Sequence, residues 1–132
     1  MTASAGGTAT SASAFSAPTG VLLELDCPNI DGTNQVIALG DDSWTFEAKC
    51  GVDFNGNIDI LAIVAYSFRD CMKACASYNR NRGSNDCLAV EFSADMNAIV
   101  PNNFGTCFLK SGTGKQNDYG KNTNVGATLV SS

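Results

Sequence analysis

The chain has 132 residues, enough for one domain and a tail but too few for two independent cores, with six cysteines, no histidine and a formal net charge of −5. The even cysteine count without imidazole favours oxidised pairs over metal ligation and removes the commonest general base. Basic residues are scattered, so nothing concentrates the positive potential that nucleic acid or an anionic membrane needs, and no apolar run approaches the ~20 residues of a spanning helix.

Residues 1–20 are almost entirely Ala, Ser, Thr and Gly, with Phe15 and Pro18, too little apolar surface to offset the entropy of ordering. They read as a tail, an O-glycosylated stalk carrying sugars at Thr8, Thr10, Ser11 or Ser13, or an arm that docks on a neighbour. The start lacks a signal peptide, whereas the cysteine content implies export. Both features are expected of a secreted chain whose signal was removed, or of a piece of a longer precursor. The body is assigned to residues 21–132.

Short β-type runs separated by Gly and Asn follow: Val21 to Leu25, Gln35 to Leu39, Ser43 to Cys50, Ile58 to Val64, Cys87 to Phe92, Gly105 to Lys110 and Val125 to Val130. In the third, Trp44, Phe46, Ala48 and Cys50 alternate with Thr45, Glu47 and Lys49, which directs one face to a core and the other to water. One helix interrupts the strands over Ser67 to Tyr78, with Ser67 as N-cap and Asp70 three residues on. Cys71, Ala74, Cys75 and Tyr78 recur at helical spacing, so both cysteines project from one buried face. Asn79 to Asp86 reads as the polar loop that ends the helix.

Between Cys27 and Val130 the order of motifs resembles a PAN/apple domain, in particular the apple-like modules of secreted fungal proteins. The resemblance is carried by Cys27-Pro28, Cys50-Gly51-Val52-Asp53, Gly56-Asn57-Ile58-Asp59-Ile60, the helix Ser67-Phe68-Arg69-Asp70-Cys71-Met72-Lys73-Ala74-Cys75-Ala76-Ser77-Tyr78-Asn79, Cys87-Leu88-Ala89-Val90-Glu91-Phe92 and Cys107-Phe108-Leu109-Lys110. It implies an α+β fold, a curved antiparallel sheet with one helix packed on it. It also implies the disulfides Cys71–Cys107 and Cys75–Cys87, leaving Cys27–Cys50; the cysteine count alone leaves 15 pairings open. The loops at Asn79 to Asp86 and Ser93 to Phe104 depart from the compact fungal pattern, so the identity of the ligand does not carry over.

Several motifs carry chemistry in other proteins. Gly112-Thr113-Gly114-Lys115-Gln116 fails as a phosphate loop, because Leu109 stands where the first glycine belongs and Gln116 replaces the magnesium-binding hydroxyl; it reads as a loop after the Cys107 strand. Asp53, Asn55, Asn57 and Asp59 place oxygen ligands at every second position, a spacing that can encircle calcium, although the glycine comes too early for an EF-hand and no bidentate glutamate follows. The competing reading of that segment is a structural turn. A four-cysteine zinc site from Cys71, Cys75, Cys87 and Cys107 lacks two close Cys-x-x-Cys knuckles and strands Cys27 and Cys50.

With no histidine and no free thiolate, no enzyme chemistry and no cofactor is expected. Ligand contact falls to Trp44, Tyr119, Arg80 and Arg82, of which Trp44, like Tyr78, also fits a core position. The resemblance implies a secreted, non-catalytic module for protein–protein or protein–carbohydrate interaction. The alternative is a structural subunit of an extracellular fibre, a homo-oligomer in which the Thr10 to Leu25 arm adds to a neighbour's sheet edge.

Overall fold

The computed structural model describes residues 23–56, 58–96, 105–120 and 122–132. Among the described residues, eight strands and one multi-turn helix run in the order β1 (Asn34–Leu39), β2 (Asp42–Cys50), β3 (Val52–Asn55), β4 (Asp59–Ile63), α1 (Phe68–Arg82), β5 (Ala89–Ser93), β6 (Cys107–Lys110), β7 (Lys115–Asp118) and β8 (Asn124–Ser131). Six strands form a sheet in the order β1-β2-β8-β5-β6-β4, and β3 pairs with β7 as a separate two-stranded ribbon. Every pairing is antiparallel. The fold is therefore α+β.

The helix follows from its sequence at both ends. Ser67 Oγ accepts the Asp70 backbone N–H at 3.0 Å, which caps the first turn, and Asp70 complements the positive end of the helix dipole. Phe68, Cys71, Met72, Cys75, Ala76 and Asn79 are buried, a stripe repeating at three and four residues that faces the sheet. The expected end at Tyr78 is one turn too early. The helix continues to Arg82 and stops at Gly83, whose φ of 71° and N–H bonds to Arg80 and Asn79 carbonyls form a left-handed C-cap. Asn79 is the physical reason for the extra turn. Its side chain is not solvated as a turn residue's would be but is buried, donating to Cys87 O at 2.9 Å and accepting from Cys87 N at 2.7 Å.

Alternation along β2 works as its sequence implies, with Trp44, Phe46 and Ala48 buried in the main core. That core lies between α1 and one face of the sheet and gathers Ile37, Phe68, Met72, Val90, Phe92, Leu109, Val125 and Ala127. Three disulfides close it: Cys71–Cys107 ties the helix to β6, Cys75–Cys87 ties it to the approach to β5, and Cys27–Cys50 ties the incoming chain to the end of β2. This is the pairing that the PAN/apple resemblance implies. Each closed loop contributes roughly 3–4 kcal/mol on the chain-entropy model.

Two further expectations change. Val21 and Leu22, the first part of the expected Val21 to Leu25 strand, lie outside the described residues, and Leu23 to Leu25 form no regular strand. Instead the Leu23 N–H donates to Ala94 O at 2.8 Å, and Leu23 and Leu25 pack half-buried on the main core. Strands β3 and β7 were not expected at all. They cover the face of the sheet opposite the helix, where Val52, Phe54 and Ala89 form a second small core with Ile58 against it. Contact there is close because β8 presents Gly126. A Cβ at that position would lie 2.8 Å from both Phe54 Cε2 and Val52 O.

Substituting Gly126→Ala should therefore push the ribbon off the sheet and cost about 1–3 kcal/mol of unfolding free energy in urea titrations. Gly112→Ala, where no atom lies within 4 Å of the added carbon, serves as the control and should change stability by about half a kcal/mol or less.

Candidate functional site

The β1–β2 turn and the C-terminal end of α1 approach each other and leave an open cleft of about 520 Å³. Asp41, Asp42, Ser43 and Trp44 line it from the hairpin, Asn79, Arg80 and Gly83 from the helix end, and Ser84, Asn85 and Ser132 complete the wall. Its volume lies in the range of small-molecule sites. Trp44 is only 6% exposed, so the indole serves mainly as floor and core, and its Nε1–H donates to Asn85 Oδ1 at 3.2 Å. Asn85 in turn donates through Nδ2 to Ser132 Oγ at 2.8 Å, which fixes both groups at the rim.

Arg80 projects across the cleft from the last helical turn. Its Nη1 donates to Leu39 O at 3.2 Å and its Nε lies 3.9 Å from Asp42 Oδ2, with both side chains more than half exposed. A guanidinium carries five N–H donors, so these contacts hold its orientation while leaving donors for an incoming acceptor. The Asp41 and Asp42 carboxylates and the carbonyl end of α1 bring negative potential to the same rim. The arrangement offers paired donors and acceptors over an aromatic floor, suited to hydroxyl and amide groups.

Of the four residues singled out for ligand contact, Trp44 and Arg80 meet in this cleft, and the other two do not join them. Arg82 belongs to the helix, like Arg80, and not to a loop after it. It donates from Nε to Asp86 Oδ2 at 2.5 Å and its guanidinium lies 5.6 Å from the centre of the Tyr78 ring. The hydrogen bond from Arg82, helped by Ser84, holds the exposed Asp86 carboxyl below its ordinary range. Tyr119 follows β7 in the other layer, half exposed, with its backbone N–H donating to Gly51 O at 2.7 Å. Asn85 and Ser132 went unrecognised; Asn85 sits in a polar loop whose composition looks merely solvated.

The oxygen ligands considered for calcium are also placed. Asp53 lies in β3 and Asp59 at the start of β4, so these two stand on separate strands. Both carboxylates face the Lys110 ammonium of β6, with Asp59 Oδ1 at 2.5 Å and Asp53 Oδ1 at 3.6 Å from Nζ. The Asn55 side of the turn is exposed, and Asn57 lies outside the described residues, as do Thr8, Thr10, Ser11 and Ser13. Among the described residues no group of three or more His, Cys, Asp or Glu side chains could hold a metal ion, and no helix is long and apolar enough to cross a membrane.

Beside this ion cluster is a group the sequence did not flag. Glu91 of β5 is 7% exposed, on the ribbon-covered face of the sheet. Burial, and then the neighbouring Asp53 carboxylate, push its carboxyl up to about 8; Lys110 and a hydrogen bond with Asn124 pull the other way, and Asp59 adds a smaller upward push. The carboxyl is thus held protonated near neutrality.

No family model, curated protein or solved structure matches the chain. The functional reading accordingly rests on the geometry of the cleft and on the order of the cysteine motifs.

Glu91 has a definite consequence for stability. Because its folded value of about 8 exceeds the ordinary 4.5, the unfolded chain releases this proton first. Between those two values the folded state binds more protons, so stability falls as pH rises and the full penalty stands above pH 8. Glu91→Gln keeps the shape of the neutral acid and should remove roughly 3–5 kcal/mol of pH-dependent loss between pH 5 and pH 8, measured as urea midpoints across that range. Parallel pH profiles for the two proteins would contradict the assignment.

Proposed function

We propose that this chain is a non-catalytic extracellular recognition module of the PAN/apple type, which holds a protein or carbohydrate ligand in the cleft beside Trp44 and Arg80. The observation that carries this reading is the convergence in one cleft of a partly engaged guanidinium, two carboxylates, a fixed amide and an indole floor. Support for the family comes from the helix stapled at Cys71 and Cys75, together with the α+β arrangement. Three disulfides suit an oxidising compartment and so favour export.

The reading is tested by titrating the 15N-labelled protein with neutral and acidic oligosaccharides and with a peptide library, following backbone and indole resonances. Shifts should concentrate at Ser43, Arg80, Gly83, Asn85 and the Trp44 indole N–H. Arg80→Ala and Asn85→Ala should each weaken binding roughly 10-fold to 100-fold, in keeping with the loss of one or two hydrogen bonds to a charged or fixed partner, while the dispersion of the core resonances persists. Shifts centred on Tyr119, or an unchanged affinity in both variants, would sink the proposal.

A second reading, the fibre subunit, is favoured by the sheet edges. Strands β1 and β4 flank the six-stranded sheet, and each carries an exposed apolar residue, Val36 at 54% and Leu61 at 47%. Such edges accept an extended strand from another chain. Because Leu23 and Leu25 pack on the chain's own core, a donating arm would end before Leu23, shorter than the Thr10 to Leu25 segment. Light scattering on the full chain and on a chain lacking residues 1–20 separates the two readings: assembly lost on deletion supports the fibre, and a monomeric full-length chain excludes it.

A further inference from the structure

We propose that Lys110 and Asp53 condense to an intramolecular amide that joins β3 to β6, with Glu91 relaying the protons. Three groups of the required chemistry meet where the ribbon covers the sheet: an amine, a carboxyl to receive it and a buried acid. Lys110 ends β6 with its side chain 4% exposed, and its Nζ lies 2.5 Å from Asp59 Oδ1 and 3.6 Å from Asp53 Oδ1. Glu91 is buried on the same face of the sheet. Ala89 is the cross-strand partner of Lys110, and Glu91, two residues along β5, is its diagonal neighbour, within reach of a long side chain. The adjoining Val52, Phe54 and Ala89 are apolar and buried.

The geometry selects Asp53 as the acceptor, although Asp59 is nearer. The Asp59 side chain is 63% exposed, so water stabilises its carboxylate, and its contact with Nζ holds the amine in place. The Asp53 side chain is 24% exposed, and its Oδ1 accepts the Phe54 backbone N–H at 2.7 Å. That donor supports the negative charge that gathers on Oδ1 when an amine adds to the carboxyl carbon. The chain is also fixed on both sides of β3. Tyr119 N donates to Gly51 O at 2.7 Å before it, and Ser111 N donates to Ile58 O at 2.8 Å after it. Asp53 is thereby kept against Lys110, and fixed proximity of this kind supplies much of the rate of an intramolecular reaction.

The step balances with nothing added. Glu91, neutral near physiological pH, hands its proton to the Asp53 carboxylate and recovers one from the Lys110 ammonium. The Nζ lone pair then attacks Asp53 Cγ. Glu91 protonates Oδ2, the Cγ–Oδ2 bond breaks, water leaves, and the proton lost from nitrogen returns to Glu91. One ammonium and one carboxylate become an amide and a water, and Glu91 ends as it began. Condensation also removes a charge pair whose burial is costly. The three disulfides serve the helix side of the sheet, and the amide gives a covalent tie to the other face, where the apolar core is small.

Peptide mapping of the full chain, reduced and alkylated, tests this directly. An amide at Lys110 blocks tryptic cleavage there. Digestion should then yield one species joining residues 50–69 to residues 83–115, lighter by about 18 Da than the two peptides together. Fragmentation should place the branch at Asp53. Glu91→Gln should fold with the same disulfide map and leave Lys110 free for trypsin. The proposal fails if the wild-type chain is cleaved after Lys110 with no mass lost, if the branch maps to Asp59, or if Glu91→Gln is linked as the wild type is. Because the wild-type map alone decides whether the bond exists, a variant that does not fold leaves the test intact.

Discussion

Two bridges one helical turn apart, Cys71 to Cys107 and Cys75 to Cys87, hold α1 against the strands it packs on. Cysteines four residues apart share one helical face. Bonding one to β6 and the other to the segment that leads into β5 removes rotation of the helix about its axis as well as sliding along it. Met72, Ala76 and Phe68 then have to meet Val90, Phe92 and Leu109, and Asn79 reaches the Cys87 backbone from the same face. The helix end is thereby carried to the β1–β2 turn, which is what creates the cleft.

The two faces of the sheet are stabilised by different means. Opposite the helix, β5 must bury Ala89 and Glu91 under a ribbon with only a few apolar side chains, and polar groups fill the remainder of that layer. Asn124 donates to Val52 O at 3.4 Å and Lys110 gathers two carboxylates from separate strands. With the Lys110 ammonium buried and Asp59 mostly exposed, desolvation and water screening offset most of the attraction, so the cluster contributes little net stability. The helix side contains the three disulfides and the large apolar core, and the ribbon side contains the groups that can respond to the medium.

Much of the helix face was legible along the chain. The N-cap at Ser67, the alternation of Trp44, Phe46 and Ala48, and the spacing of Cys71 and Cys75 are local patterns whose physical meaning needs no distant partner. The ribbon was not legible, and its residues explain why. Val52 to Asn55 and Lys115 to Asp118 are four residues each, rich in Asp, Asn, Lys and Gln, and they pair across some sixty positions of sequence. Neither segment has a period long enough to read, and polar residues of this kind ordinarily signal turns. Within the cleft, Trp44 and Arg80 were each visible as candidates, whereas their meeting, and the exclusion of Arg82 and Tyr119, depended on where the helix end came to rest.

By itself the amino-acid sequence determined a capped amphipathic helix carrying two cysteines on one face and a set of short strands, since those features arise from capping, period and composition within a dozen residues or so, whereas the α+β arrangement was implied by the resemblance of the motif order. Only the tertiary structure decided the order of strands in the sheet, the extra turn that puts Arg80 on the helix, and the joining of Glu91, Lys110, Asp53 and Asp59. The reason is that charge and burial are properties of a place in the fold. Lys110 and Asp59 are 51 residues apart in the chain, and neither carries any local mark of the other.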